Sequence, residues 1–392
     1  MREAAERDAA LRAQGIDPET WEREQAARRD ERGSRSQGEA RPIRLPRPRM
    51  TLKRLLLIAT TLVLAIVVIG SVLLWQRVSA FNASVSTRPM LSAALFGPLG
   101  GKERVNVLLV GFAGEQHHGG TYLADSLNIL SVDPVTDTTT LIPIPRDLWI
   151  QEVPELPTGG KVNEVFADGW IAGGEVEAGR AQAAVLSEVT GLKIDYWMAV
   201  DFAGFAGLVD AVGGVTIDNP TAFKFTWSQG DYDAGNWNGG SFAKGLITLD
   251  GARALDYARA RYTSVPAESS DFARSVRQQR VLAALKTKLG KGGIGSLGPA
   301  LGMMDALEGR LRTNLSAFDL LLLSGHLSVD RRLELEEDVI LKAGFNDAGQ
   351  YILFPIGAKG LGDYAPLRAY IAAQLAKPIP TPAPTASPTA TP

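Results

Sequence analysis

The chain has 392 residues, a formal net charge of −2, no cysteine and three histidines. This length suits two or three domains, or one domain with appendages. The near-neutral charge gives no electrostatic reason for a nucleic-acid partner, and the lack of cysteine excludes disulfides and thiolate chemistry. His117, His118 and His326 argue against a multi-histidine zinc centre, since no H-E-x-x-H spacing occurs.

Residues 1–50 are rich in Glu, Arg, Gln and Ala and end in the basic run RPIRLPRPR. Too few large apolar groups are present to build a core, so a charged, solvated and disordered tail is expected, at most transiently helical. From Leu55 to Trp75 no charge occurs, which is enough for a helix to cross a bilayer core about 30 Å thick. A transmembrane helix is therefore placed at 51–76. Arg41, Arg44, Arg47, Arg49, Lys53 and Arg54 precede it, and only Arg77 follows closely. The positive-inside rule then puts the N-terminus in the cytoplasm and everything after about residue 77 outside. The run lies deep in the chain and is long for a signal peptide, so an uncleaved anchor is preferred.

Residues 77–103 mix Ser, Gly, Pro and Ala and read as a stalk. The folded domain begins with RVNVLLVGF, a nearly continuous apolar run expected to form a strand covered on both faces. The loop GFAGEQHHGG follows. SLNILSVDP and TTTLIPIP, joined by Asp133, Pro134 and Asp137, predict a hairpin. A helix is expected from Val176 to Thr190, stopped by Gly191. DYWMAV reads as a strand, FAGFAGLVDAVGG as a helix with a Gly-Gly stop, and VTIDN as a further strand. This alternation predicts an α/β fold, a layered α-β-α domain with a mixed central sheet, preceded by the transmembrane helix. Trp227, Tyr232 and Trp237 lie in a polar excursion, where they either stack on sugar rings or pack locally. After the break GKGGIGSLG, helical patterns resume near 301–311 and 317–327. YILFPIG suggests an edge strand, because Pro355 lacks a donor. Residues 291–376 are taken as a helical and strand extension packing on a domain at 104–290. The Pro/Thr-rich tail 377–392 is low in complexity and unfolded.

The stretch from Leu249 to Arg280, LDGARALDYARARYTSVPAESSDFARSVRQQR, carries the chemistry. A helix from about Asp271 to Leu289 puts Arg274, Gln278, Val281, Leu285 and Leu289 on one stripe. A guanidinium on a core-facing stripe is costly unless it meets a carboxylate or a phosphate. Arg259 and Arg261 lie two apart beyond a helix at Leu249–Ala258, and in an extended segment that spacing points both the same way. The three arginines read either as an anion clamp or as a salt-bridge network with Asp256, Glu268 or Asp271. The apolar runs LLLV, LNIL and FAGFAGLVDAV could line a lipid tunnel as well as fill a core, and ordinary core packing is the favoured reading for each of them.

In order, the blocks IPRDLWI, KVNEVFADGW, LVDAVGGVTIDNP, LDGARALDYARARY and DFARSVRQQR resemble the LytR-CpsA-Psr family of bacterial cell-wall glycopolymer transferases, over roughly residues 104–290. The resemblance implies a membrane-anchored, extracytoplasmic phosphotransferase. Such an enzyme would move a phosphoglycan from a polyprenyl-pyrophosphate carrier to a peptidoglycan hydroxyl, with Mg2+ assisting. The partners implied are the lipid-linked glycan, peptidoglycan and membrane lipid, and no nucleic acid. Residue by residue, it implies catalytic roles for Asp125, Arg146, Arg259, Arg261 and Arg274, with Asp125 at the metal. Substrate binding is expected of Arg146, Lys161, Arg259, Arg261, Arg274 and Gln278. Asp147 and Asp271 are the two candidates for general base. Two positions depart from the family pattern. Leu123 stands where an arginine is expected, and Ala113 where an aspartate often holds magnesium, with Glu115, His117 or His118 nearby as possible substitutes. These departures keep open a non-enzymatic envelope regulator or wall-binding module, and a third reading is a lipid-linked pyrophosphatase in which water takes the place of the acceptor hydroxyl.

Overall fold

The structure is a computed structural model that describes residues 2–35, 52–90, 103–114, 122–288, 297–324 and 329–379. Contacts divide the chain into two units, Met1–Ile69 and Gly70–Pro392. In the first, the expected coil is instead two helices, Arg2–Ala13 and Pro18–Arg35. Their Ala, Glu and Arg content is strongly helix-forming. Asp17 caps the second helix, accepting from the Thr20 hydroxyl at 2.7 Å and the Thr20 N–H at 3.3 Å, and Arg7 bonds Glu22 at 2.6 Å. A third helix runs from Leu52 to Val85. Its part from Ala59 to Val85 is long and apolar enough to cross a membrane. The apolar side chains from Leu62 to Trp75 are exposed.

The second unit is built on a six-stranded mixed sheet. In chain order its strands are β1 (Val105–Phe112), β2 (Ala124–Asp133), β3 (Thr138–Ile144), β4 (Ile194–Asp201), β5 (Leu311–Thr313) and β6 (Arg331–Arg332), arranged β5-β4-β1-β2-β3-β6. β1 pairs antiparallel with β2 and parallel with β4. The expected hairpin is β2–β3, and Asp137 takes a positive φ of 53° in its turn. β1 is covered on both faces, as its unbroken apolar run predicts. Leu108, Val110 and Phe112 pack with Ile129, Ile142 and Trp197 on one face. The alternate Val105 and Val107 pack with Leu130, Val132 and Leu315 on the other.

The helix over the first face starts earlier than predicted, at Glu164, and runs to Thr190. Gly173 and Gly174 leave helical geometry inside it, and Gly191 ends it at φ 71°. A sequence window sees this glycine kink as a boundary, which is why only the second leg was legible. Gly179 in that leg lies so close to the Trp197 indole that a Cβ would overlap the ring. A second core joins the helices Phe202–Ala211, Gly251–Arg259 and Asp271–Lys288 to short hairpins through Val209, Ile217, Phe225, Tyr257, Val281 and Leu285.

Two expectations about flanking segments change. In the stretch read as a stalk, Phe81 and Val85 pack on Leu311, and the Asn82 side chain accepts from the Ala317 N–H at 2.7 Å. The helix expected over 301–311 spans Leu297–Leu307 and gives way to β5 at Leu311. The stretch taken as an extension thus supplies both edge strands of the central sheet, β5 and β6. Tyr351–Pro355 pairs antiparallel with Leu341–Phe345 in a separate two-stranded sheet. Residues 380–392 and the loop holding Glu115, His117 and His118 lie outside the described residues.

Candidate active site

The antiparallel β2–β3 register sets Leu127 opposite Ile144, so the start of β2 and the residues just past β3 share one end of the sheet. That register brings Asp125 to Arg146, with Oδ1 and Nη1 3.8 Å apart. A two-residue ladder pairs Trp149 with Lys161, and the Lys161 ammonium donates to Asp147 Oδ1 at 2.6 Å. The helix Asp271–Lys288 contributes Arg274, Ser275 and Gln278, and the segment before strand Tyr262–Thr263 contributes Arg261. Asp125, Arg146, Lys161, Arg261, Arg274 and Gln278 all line one cleft of about 810 Å³. Ser126 donates to Gln278 Oε1 at 3.1 Å, tying β2 to the arginine helix.

Arg259 does not line this cleft. It is the last residue of its helix rather than part of an extended segment, so the alternation that would aim it alongside Arg261 does not apply. Its guanidinium lies 4.2 Å from the Phe202 ring centre and 5.4 Å from that of Trp227. Burial pulls its pKa down, and the Asp125 and Asp256 carboxylates offset part of that effect. Trp227 is thus engaged with Arg259 and, edge-on, with Phe225, while Tyr232 packs edge-on against Trp237.

Of the acids expected in a salt-bridge network, Glu268 is engaged by a neighbouring arginine. The buried guanidinium of the helix belongs to Arg277, which is fully buried and 2.9 Å from Glu268 Oε2. Arg277, Val281 and Leu285 form the core stripe, and Arg274 and Gln278 flank it on the cleft side. The Asp271 side chain lies outside the described residues.

Sequence reasoning missed Arg332, Glu334, Glu336 and Glu337, which also line the cleft. The alternation in RRLELEE, with Leu333 and Leu335 buried, was the available signal. Arg332 donates to Ser275 Oγ at 2.8 Å and pairs with Glu334 at 2.7 Å. Burial pushes the Glu334 carboxyl up, against the pull of Arg332.

Among the described residues no group of three or more His, Cys, Asp or Glu side chains could hold a metal ion. Asp125 is a carboxylate in the cleft, and a Mg2+ that takes most of its oxygens from water and phosphate needs only one or two carboxylates. A single carboxylate such as Asp125 thus fits a metal that shares its coordination with a phosphorylated substrate. Ala113 lies in a smaller cavity of about 320 Å³ with Tyr122, Trp170, Asp201 and Arg310.

Comparison with known proteins places this arrangement. The polyisoprenyl-teichoic acid–peptidoglycan teichoic acid transferase TagU of Oceanobacillus iheyensis is 31% identical over 216 residues, 55% of this chain and 60% of that protein. TagU of Bacillus subtilis is 26% identical over 270 residues, 67% of this chain and 79% of that protein. The chain thus spans about 60% of the length of the first of these relatives. Among solved structures, a Streptococcus agalactiae protein is similar with a TM-score of 0.53 and 21% identity, covering 71% of this chain and 90% of that one. Bacillus subtilis TagV follows at TM-score 0.50 and 23% identity, covering 70% and 96%. At these identities the likeness is one of fold. The LytR_cpsA_psr family model matches residues 78–351, from the end of the long helix through the sheet and every cleft arginine, and the chain belongs to that family.

Proposed function

We propose that this protein is a membrane-anchored phosphotransferase, with its N-terminus in the cytoplasm and its cleft outside. It moves a phosphoglycan from a polyprenyl-pyrophosphate carrier to a peptidoglycan hydroxyl. The observation that carries this reading is the convergence of Arg146, Lys161, Arg261, Arg274 and Arg332 from five separate segments onto one cleft. A diphosphate concentrates negative charge on closely spaced oxygens, and planar guanidinium forks hold such a group in position as well as neutralising it. The names of the relatives, transferases joining teichoic acid to peptidoglycan, support the donor and acceptor classes.

In the reaction the acceptor oxygen bonds to the phosphorus carrying the glycan, and the bridging P–O bond to the lipid phosphate breaks. The products are polyprenyl phosphate and a wall-linked glycan phosphate. Phosphoryl transfer of this kind depends chiefly on positioning and on charge stabilisation of the transition state. Arg261 and Arg274 are assigned to the diphosphate oxygens, and Arg146 and Lys161 to the end of the cleft beside Asp125. When bound, Mg2+ would neutralise charge on the leaving phosphate, held by Asp125 together with phosphate oxygens. The acceptor's proton needs a base. Asp147 lies between Lys161 and Arg146, each facing one of its oxygens. Glu334, paired with Arg332 and raised by burial, lines the same cleft and is the second candidate.

Labelled lipid-linked oligosaccharide incubated with the full chain, with and without peptidoglycan, tests the reading. Label appearing on the wall only when acceptor is present is the expected result. Phosphorylated glycan released at the same rate without acceptor would make the protein a hydrolase.

A further inference from the structure

We infer that Arg277, which does not line the cleft, is the positioning residue that fixes the spacing between Arg261 and Arg274. Arg277 is the largest fully buried side chain of the described residues. Its Nε donates to the Tyr257 carbonyl at 2.9 Å, and its Nη2 donates to the Ala260 carbonyl. Its Nη1 reaches the Glu268 carbonyl at 2.7 Å and Glu268 Oε2 at 2.9 Å. One guanidinium therefore holds the chain on both sides of Arg259, immediately before Arg261, and again at the turn Pro266–Glu268 that leads into its own helix.

The last carbonyls of a helix have no partner within the helix and accept well from a cation. Here the helix Gly251–Arg259 ends at the very segment that must present Arg261 to the cleft. A flexible end would let Arg261 wander, and the buried fork prevents this. Arg274 lies one helical turn before Arg277, so the helix that offers one cleft arginine also grips the backbone offering the other. The adjoining Gln278 extends the tie to β2 through Ser126. A lysine could not replace this fork, because a single ammonium cannot reach three carbonyls and a carboxylate at once.

The clip stands on geometry alone. That it serves diphosphate binding rests on the function proposed above. The test uses the full chain in detergent micelles, inorganic pyrophosphate as probe, and four proteins: wild type, Arg277→Lys, Arg261→Ala and the double variant. Arg277→Lys is expected to weaken pyrophosphate binding about tenfold in the wild-type background and by less than about twofold in the Arg261→Ala background, because it acts through Arg261. An equal loss in both backgrounds, or no loss in either, would overturn the inference. Amide hydrogen exchange separates this outcome from a failure of the proposed function. Arg277→Lys should speed exchange selectively at residues 258–263 even if wild type binds no pyrophosphate, whereas uniform acceleration or none would sink the clip.

Discussion

Replacing Arg277 or Arg261 with alanine should have opposite consequences, although the two residues belong to one constellation. Arg277→Ala removes the partner of the Glu268 carboxylate and of the Tyr257, Ala260 and Glu268 carbonyls, at the edge of the second core. Breaking a buried, hydrogen-bonded ion pair from one side costs about 3–5 kcal/mol. For a domain of this size, about 2–4 °C per kcal/mol, the melting temperature should fall by roughly 6–20 °C. Arg261 is exposed, and its guanidinium lies 6.0 Å from the Tyr262 ring centre. Its removal should change stability by no more than about 0.5 kcal/mol. The same removal deletes a charge-assisted contact to diphosphate worth about 1.5–3 kcal/mol, roughly 10- to 150-fold in affinity. Differential scanning calorimetry paired with pyrophosphate titration reads both effects. If Arg261→Ala melted like Arg277→Ala, or if Arg277→Ala left the transition in place, the assignment of one arginine to the core and the other to the cleft would be refuted.

Three further outcomes can be checked. Gly179→Ala forces a methyl into the Trp197 indole, itself buried in the main core, and should cost about 1–3 kcal/mol in chemical denaturation; an unchanged midpoint would contradict the packing described. Glu334→Gln should lower the transfer rate by about 10²- to 10⁴-fold and leave donor binding nearly unchanged if Glu334 takes the acceptor's proton. Burial raises the Asp133 carboxyl, but the Val135 and Thr136 N–H groups and Arg104 outweigh it and hold the pKa below 3.8. The stabilisation is therefore present above pH 3.8 and lost as pH falls through the depressed value. Asp133→Ala should destabilise the hairpin by about 1 kcal/mol at neutral pH, with the gap to wild type closing in acid, and a pH-independent gap would count against that account.

The strands β1 to β4 were legible because each is a continuous apolar or alternating run bounded by turn residues, and Gly191 and Gly213 mark helix ends in the ordinary way. β5 and β6 were not, since strands of three and two residues leave too little pattern and owe their existence to the sheet edges they meet. The arginine helix was half legible. Val281 and Leu285 define its buried side, but Arg274 and Arg277 both lie within a turn of that stripe, and only the position of Glu268 decides which is buried. Arg146, Lys161, Asp125 and Gln278 were found through ordered sequence blocks, and the structure gathers them. Aiming Arg259 alongside Arg261 rested on extended chain, whereas Arg259 ends a helix and lies near enough to Asp125 for that carboxylate to act on its charge. Arg332 and Glu334 escaped because their alternating segment is short and distant from every block that drew attention.

The central claim is that the cleft grips a diphosphate carried on an isoprenoid. Calorimetric titration of the full chain in micelles with farnesyl diphosphate and with farnesyl monophosphate tests it most directly. The account predicts that the diphosphate binds at least about tenfold more tightly than the monophosphate, and that Arg274→Ala abolishes this preference. Equal affinity for the two lipids, or a preference that survives Arg274→Ala, would contradict it.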